Sequence, residues 1–574
     1  MTCSDSSTAR SPRSPRRPRS PRPPSLLDEL YAGHVRWDLV RPFPRQSAAE
    51  RAAGDEAVAA VTDLLRTWID PEEVDRTGRL PDGFQAALGK AGFLRLMIDP
   101  ALGGLGLSWA NAARVVEATA RWSAPVAYTV AITNGFGSGS YLPVLPPGPL
   151  RDLIEARVAG GIVSGGADAE PIGTANQHRA TTAVPVEDGA AYLITGEKVF
   201  IGNAPVADLM DVSATIDGTG EVRLFFVDLD APGVEHVMRH EFMGLRGAEI
   251  GAIRFDNVRV AAERLLPESE DGWRMRPGEG TSGEADSSEA DSGEADSGEL
   301  AALALSARNL VVTPTTLGIA RMCLVWTRDF LGRRVIDGRG LGEYDQIQRL
   351  VSATAADVFT IESLLAWSVL GGDQADLRPD LTAVKNLVSR LCWRTVDRTV
   401  SLLGAEGYET ARSKAARGAV PLPVERAFRD ARALRVAGGV DFMLDMWSAK
   451  SRPPLAPETR LPGLTPHDTA LTSRNEMHLA FVAAQSRSLA DIRGDDQHTL
   501  GVAGAIAAEL LSMTVVLARS ADLPDAADLA DVSCTASRHR LAELRSRLGD
   551  RDRDAAATSD ASLHTARFDF LTRT

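Results

Sequence analysis

The stretch Leu403-Gly404-Ala405-Glu406-Gly407-Tyr408, with the forty residues after it, decides how this chain is read. It continues through Pro421 to Arg426 and Phe428-Arg429-Asp430-Ala431-Arg432, and closes on Gly438-Gly439-Val440-Asp441-Phe442-Met443-Leu444. Gly404 and Gly407 bracket a tight turn between two apolar helices. A missing β-carbon there lets the backbone come close to a ligand or to a neighbouring helix.

Working outward, 574 residues are too many for one core and imply two or three domains or one multi-lobed unit. Aromatics are only 5%, while Ala, Arg, Gly and Leu abound, which favours helix. The formal charge is -14, but eight uncompensated acids fall between Glu279 and Glu299, so the body is only mildly acidic. Neither sign of charge suits a nucleic-acid surface. Cys3, Cys323, Cys392 and Cys534 are widely spaced with no C-x-x-C, which argues against a disulfide framework or a zinc site and for a reducing compartment, the cytoplasm. His236 and His240 have H-x-x-x-H spacing, but Val237 stands where a zinc protease needs Glu and the surroundings read as strand, so no metal is expected. No apolar stretch suited to a secretory signal opens the chain. The run Gly501 to Ala518 is interrupted by Glu509 and reads as a buried or partner-facing helix, so no transmembrane segment is expected.

Along the chain, Ser-Pro-Arg repeats at Ser11, Ser14 and Ser20, and this proline-rich basic tail is expected to be disordered. From Glu50 to about Arg157 apolar residues recur at helical spacing (Val58, Val61, Leu64, Leu65, Trp68). The loop Gly103-Gly104-Leu105-Gly106-Leu107-Ser108 ends in a serine placed to cap the next helix. Between about Gly160 and Val260 the period becomes two, with strands at Tyr192–Ile201 and Arg223–Asp228 and hairpin turns at Glu187-Asp188-Gly189 and Asp217-Gly218-Thr219-Gly220. Gly278 to Glu299 is a low-complexity acidic run that cannot bury a core. Helical pattern resumes at Leu300 and persists beyond Trp447 for more than a hundred residues.

Taken together, these motifs resemble the acyl-CoA dehydrogenase family. The matches are the glycine loop at Gly103–Gly106, Ala169-Glu170-Pro171, Gly196-Glu197-Lys198, Asn203, Gly244-Leu245-Arg246-Gly247, and Phe255 to Val260. They continue with Arg334-x-x-Asp337-Gly338-x-x-Leu341-x-x-Tyr344-Asp345-x-Ile347-Gln348 and the opening stretch. The resemblance implies an α+β fold: a tail and lead-in over 1–47, a helical N-terminal domain over 48–157, and an antiparallel β domain over 158–266. An acidic linker over 267–300, a four-helix-bundle domain over 301–449 and a helical extension over 450–574, as in very-long-chain members, would follow.

It also implies a bound FAD that takes a hydride from an acyl thioester while a Glu removes the neighbouring proton. Aligned without gaps from Arg429-Asp430, the place of that Glu falls on Gly438, which keeps only its backbone N–H, and its alternative place on an earlier helix falls on Arg308. Asp441 and Glu406 are candidate substitute bases, each with a solvated carboxylate as the plainer reading. Candidate FAD contacts are Glu170, Phe200, Gly202, Asn203, Arg334, Gly404 and Gly407, whereas Ala175, Ser401, Val440 and Phe442 replace side chains that the family pattern carries. The implied partners are an acyl thioester on CoA or a carrier protein, an electron-transfer flavoprotein or oxygen, and further copies in a homodimer, homotetramer or heteromer. Two alternatives stand beside a divergent dehydrogenase: a half-site subunit whose relative supplies the Glu, and a flavin oxidase or monooxygenase.

Overall fold

The structure is a computed structural model, and it describes residues 23–173, 179–267, 298–452, 470–549 and 553–571. The Ser-Pro-Arg repeats, the acidic run up to Ser297 and Ala175 lie outside the described residues.

Among the described residues, eight α-helices precede the sheet: α1 (Leu26–Tyr31), α2 (Trp37–Val40), α3 (Ala48–Trp68), α4 (Pro71–Thr77), α5 (Phe84–Lys90), α6 (Trp109–Trp122), α7 (Ala124–Phe136) and α8 (Pro149–Ala159). Several starts follow local chemistry. The side chains of Ser47, Asp70 and Ser108 accept from first-turn amides of α3, α4 and α6, so Ser108 caps as its position predicts. In the loop before it, a β-carbon on Gly104 would stand 2.1 Å from the Ile98 carbonyl oxygen, which only glycine avoids.

The lead-in that follows the tail forms α1 and α2. Leu26, Leu27 and Leu30 are fully buried, and Asp380 anchors the strap by accepting from Ser25 Oγ (3.0 Å) and Leu27 N (3.0 Å), while its other oxygen accepts from Trp367 Nε1 (2.8 Å). Three apolar side chains in one turn supply burial that the sequence-level reading overlooked.

The middle domain holds β1 (Ser164–Ala167), β2 (Thr182–Val186), β3 (Ala191–Gly202), β4 (Leu209–Ile216), β5 (Val222–Asp228), β6 (Val234–Arg239) and β7 (Ile250–Ala261), ordered β1-β4-β2-β3-β7-β6 with β5 on β4. The two expected hairpins, β2–β3 and β4–β5, are present. The sheet is mixed, however, because β1 and β2 both run parallel to β4. Period-two patterning gives strand character but not strand direction.

The C-terminal part begins with α9 (Gly298–Arg333), followed by the hairpin β8 (Val335–Ile336) and β9 (Arg339–Gly340). Asp337 and Gly338 both take positive φ (50° and 75°), an Asp-Gly turn of the kind tight hairpins demand. Then come α10 (Asp345–Leu370), α11 (Arg378–Leu403), α12 (Ala405–Tyr408), α13 (Ala411–Ala416), α14 (Val424–Leu434), α15 (Asp441–Lys450), α16 (Ser473–Ala490), α17 (Gln497–Ala521), α18 (Ala527–Gly549) and α19 (Arg553–His564). Helix α17 is apolar all round and packs against α15, α10, α11, α16 and α18, so the extension shares the bundle's core. By length and composition Ala302–Arg333, Asp345–Asp373 and Gln497–Ala521 could each cross a membrane, yet their most apolar windows are 78%, 61% and 94% buried within the protein.

Candidate active site

Helices α9 and α11 and the loop between α14 and α15 meet at Gly438. Its φ is +69°, and a β-carbon there would lie 2.7 Å from Arg308 Cγ, 2.9 Å from Arg308 Cδ and 3.9 Å from Lys385 Cε. The two positions where the family resemblance puts a Glu are thus one place in space, and the aliphatic part of Arg308 fills it.

Arg308 and Lys385 are buried cations. Arg308 reaches Thr382 Oγ1 (2.6 Å) and, at the limit of a hydrogen bond, the Gly438 carbonyl oxygen (3.5 Å), while its Nε has no partner. Lys385 donates to the Gly439 carbonyl oxygen (2.7 Å). Burial, together with the Arg308 charge beside it, pushes the Lys385 amine down to about 7, and burial pushes the Arg308 guanidinium down to about 10. Among the described residues no carboxylate pairs with either.

The two candidate substitute bases are otherwise engaged. Burial would raise the Asp441 carboxyl, but the hydrogen bond and charge of Arg435 outweigh it and hold the group below its ordinary value; the Nε donor is 2.9 Å away. A carboxylate so held is a poor proton acceptor. Asp441 also starts α15, separated from Gly438 by a loop and not joined to it by a helical turn. Glu406 lies 3.7 Å from Arg333, on the α9–α12 face.

The candidate cofactor groups divide into inward and outward sets. Glu170 is a structural anchor: its carboxylate takes Lys198 Nζ (2.8 Å) and the amides of Ala180 (2.6 Å) and Thr181 (2.9 Å). Asn203 is buried, its side-chain amide donating to Thr133 Oγ1 (2.8 Å) and the Ser164 carbonyl oxygen (3.0 Å). A β-carbon on Gly202 would meet Ile132 at 3.1 Å, and one on Gly407 would meet the Val400 carbonyl oxygen at 2.5 Å, so both glycines serve close packing. The side chains of Glu170 and Asn203 are thus engaged inside the fold. Outward-facing are Phe200, 60% exposed, Arg334, and Gly404, whose missing side chain would meet nothing within 4 Å.

Phe200 does not stand alone. Its ring lies 4.7 Å from that of His240 and 6.3 Å from that of Phe242, and its amide donates to His240 Nε2 (3.2 Å). The φ of +59° that turns the ring outward is unusual for a bulky residue. Burial depresses the His240 imidazole below its ordinary value, keeping a neutral ring in the shelf.

Family models match three successive segments: acyl-CoA dehydrogenase N-terminal domain over 53–142, middle domain over 167–258 and C-terminal domain over 299–450. The chain belongs to the acyl-CoA dehydrogenase family. Among acyl-CoA dehydrogenases, a protein named probable acyl-CoA dehydrogenase FadE10 of Mycobacterium tuberculosis is 28% identical over 434 residues, 74% of this chain and 63% of that protein. The mouse mitochondrial very long-chain specific acyl-CoA dehydrogenase is 24% identical over 78% of this chain and 64% of its own length. The chain thus spans just under two thirds of the length of these relatives. An acyl-CoA dehydrogenase of Bacillus anthracis solved with FAD superposes over 95% of both chains with a TM-score of 0.67 at 17% identity. Butyryl-CoA dehydrogenase of Megasphaera elsdenii covers 70% of this chain and 98% of its own, with a TM-score of 0.57 at 20% identity.

The acyl-CoA dehydrogenase motif Arg429-Asp430 has a legible task here. Arg429 pairs with Asp75 (2.7 Å) and Glu425 and donates to the Met243 carbonyl oxygen (2.9 Å), while Asp430 accepts from Leu245 N (2.6 Å). One pair of residues therefore joins all three family domains. Beside it a cleft of about 220 Å³ is lined by Trp122, Pro125, Arg246, Trp326, Arg426 and Asp430. It reaches α9 at Ile319, roughly 16 Å along the helix from Arg308 at 1.5 Å per residue, so it is distinct from the Gly438 contact. Sequence reasoning missed Lys385, His240 and Phe242. The only signal for His240 was a spacing read for metals, and a lone lysine within α11 carries none.

Proposed function

We propose that this chain is a flavin-dependent oxidoreductase acting on the CH–CH group of an acyl thioester, with FAD as cofactor and a cation where the family resemblance places a carboxylate. The Arg308–Gly438 contact carries this reading. The Phe200–His240–Phe242 shelf suits one face of a flat tricyclic ring, and the open, left-handed Gly404 with exposed Arg334 suits a pyrophosphate. When bound, FAD supplies the acceptor for the hydride leaving the β-carbon. The chain's own part is to orient and polarise. The Gly438 amide favours electron density on a thioester oxygen, which acidifies the neighbouring C–H. Neither Gly438 nor Arg308 accepts the proton. The buried Cys323, Cys392 and Cys534 are free thiols and fit a cytoplasmic setting.

A second reading is a half-site subunit paired with a related chain that contributes the Glu. It is favoured by the same contact, since Arg308 leaves no room for a carboxylate at position 438. The visible spectrum of the purified protein, followed by anaerobic addition of acyl-CoA, tests both. A yellow protein that bleaches supports the first reading. A yellow protein that binds acyl-CoA without bleaching until a relative is added supports the second. A colourless protein that takes up no added FAD defeats the cofactor assignment.

A further inference from the structure

Among the described residues, Arg308 and Lys385 donate only to neutral groups: the Thr382 hydroxyl and the Gly438 and Gly439 carbonyls. Those acceptors need a donor, and a neutral donor would satisfy them without a buried charge. Two basic groups side by side in the interior can both carry charge only at a cost, which an anion between them offsets. Arg308 is 5% exposed and Lys385 is fully buried, and the guanidinium Nε is without a partner. Gly438 above them is exposed, as are Val436 and Phe442 on either side, so the pair lies just beneath a solvent-open loop. The protein cannot supply the anion itself at 438, because a side chain there would run into Arg308.

We propose that Arg308 and Lys385 form a carboxylate-binding subsite that selects an acyl thioester bearing its own carboxylate within two carbons of the thioester, of the malonyl or succinyl type. This rests on the acyl-thioester reading above, which puts the substrate's α-carbon against the Gly438 loop. A guanidinium offers a carboxylate two parallel donors and an ammonium one more, so the pair discriminates a carboxylate from a methyl group. The charged groups facing Lys385 are Arg308 from α9, Arg390 on α11 and Asp441 at the start of α15. Of these only Asp441 is anionic, and it is already paired with Arg435. A bound carboxylate therefore recharges Lys385.

Calorimetric titration of the full-length protein with succinyl-CoA, malonyl-CoA and butyryl-CoA at pH 8, in buffers of different ionisation heat, tests the subsite. At least one dicarboxylic thioester is expected to bind tenfold or more tighter than butyryl-CoA, with proton uptake seen only for it. Arg308→Met brings the two classes together. Lys385→Met reduces the preference and abolishes the uptake, and it serves as the test should Arg308→Met fail to fold. Equal binding of the two classes by the native protein overturns the subsite and leaves the thioester reading standing. Binding of none of the three overturns both.

Discussion

The Cγ of Arg308 stands 2.7 Å from where a β-carbon on Gly438 would be, so an arginine on α9 and a glycine 130 residues later form one packing unit. Neither can change alone without disturbing the other.

Gly438→Glu by itself is expected to destabilise the protein and to confer no desaturation. A side chain at φ +69° costs about 1–2 kcal/mol and the collision adds to it. Combined with Arg308→Ala, the same change places a carboxylate in free space, and acyl-CoA desaturation should rise on the order of 100-fold or more if FAD is bound. Thermal unfolding and single-turnover flavin reduction of the single and double variants check this.

Lys385→Met is expected to stabilise the ligand-free protein, most strongly at and below neutral pH. The Lys385 amine is depressed from 10.5 to about 7 in the fold, so above pH 7 the unfolded chain binds the extra proton and native stability rises with pH toward 10.5. The methionine variant lacks that slope. Urea midpoints at pH 6.5 and 9.5 for the two proteins measure it. A lysine that merely clamped the Gly439 carbonyl would give a loss of stability on substitution at both values.

Burial pushes Asp380 up to about 7, against the hydrogen bonds from Trp367, Leu27 and Ser25. Its folded affinity for the proton exceeds its unfolded one, so its contribution is full below about pH 4 and is lost as pH rises through 7. Asp380→Asn removes that slope. It also sets an amide N–H against one of three donors, costing about 1–3 kcal/mol. Amide hydrogen exchange over residues 25–40 should quicken in the variant, because the α1 strap hangs on this side chain.

Phe200→Ala should weaken FAD binding up to about tenfold through the lost ring stack, with Phe200→Trp retaining it. His240→Ala should weaken it as well, since its ring lies 4.7 Å from Phe200 and its Nε2 accepts the Phe200 amide at 3.2 Å. Equilibrium dialysis against FAD measures both. Unchanged affinity in both alanine variants removes the shelf from the cofactor site.

The domain order was legible because it is written in local signals: helical spacing to Arg157, period two to Val260, and helical spacing again from Leu300. Ser108 as a cap and the Glu187-Asp188-Gly189 turn were legible for the same reason, since each depends on its near neighbours in the chain. The mixed sheet was not, because strand direction is fixed by which strand lies alongside. Nor was the ordered strap at α1, whose three leucines gain their burial from α16 and α17, more than 440 residues away.

By itself the sequence determined the family fold and the residue types, Gly438 and Arg308, at the two positions where the family resemblance places a Glu, because both are matters of residue type at a fixed spacing. Only the tertiary structure decided that those two positions coincide, that Arg308 occupies the shared space and that Lys385 lies next to it. Position in a chain says nothing of charge compensation. Whether a buried cation has an anion beside it depends on helices that meet only after folding.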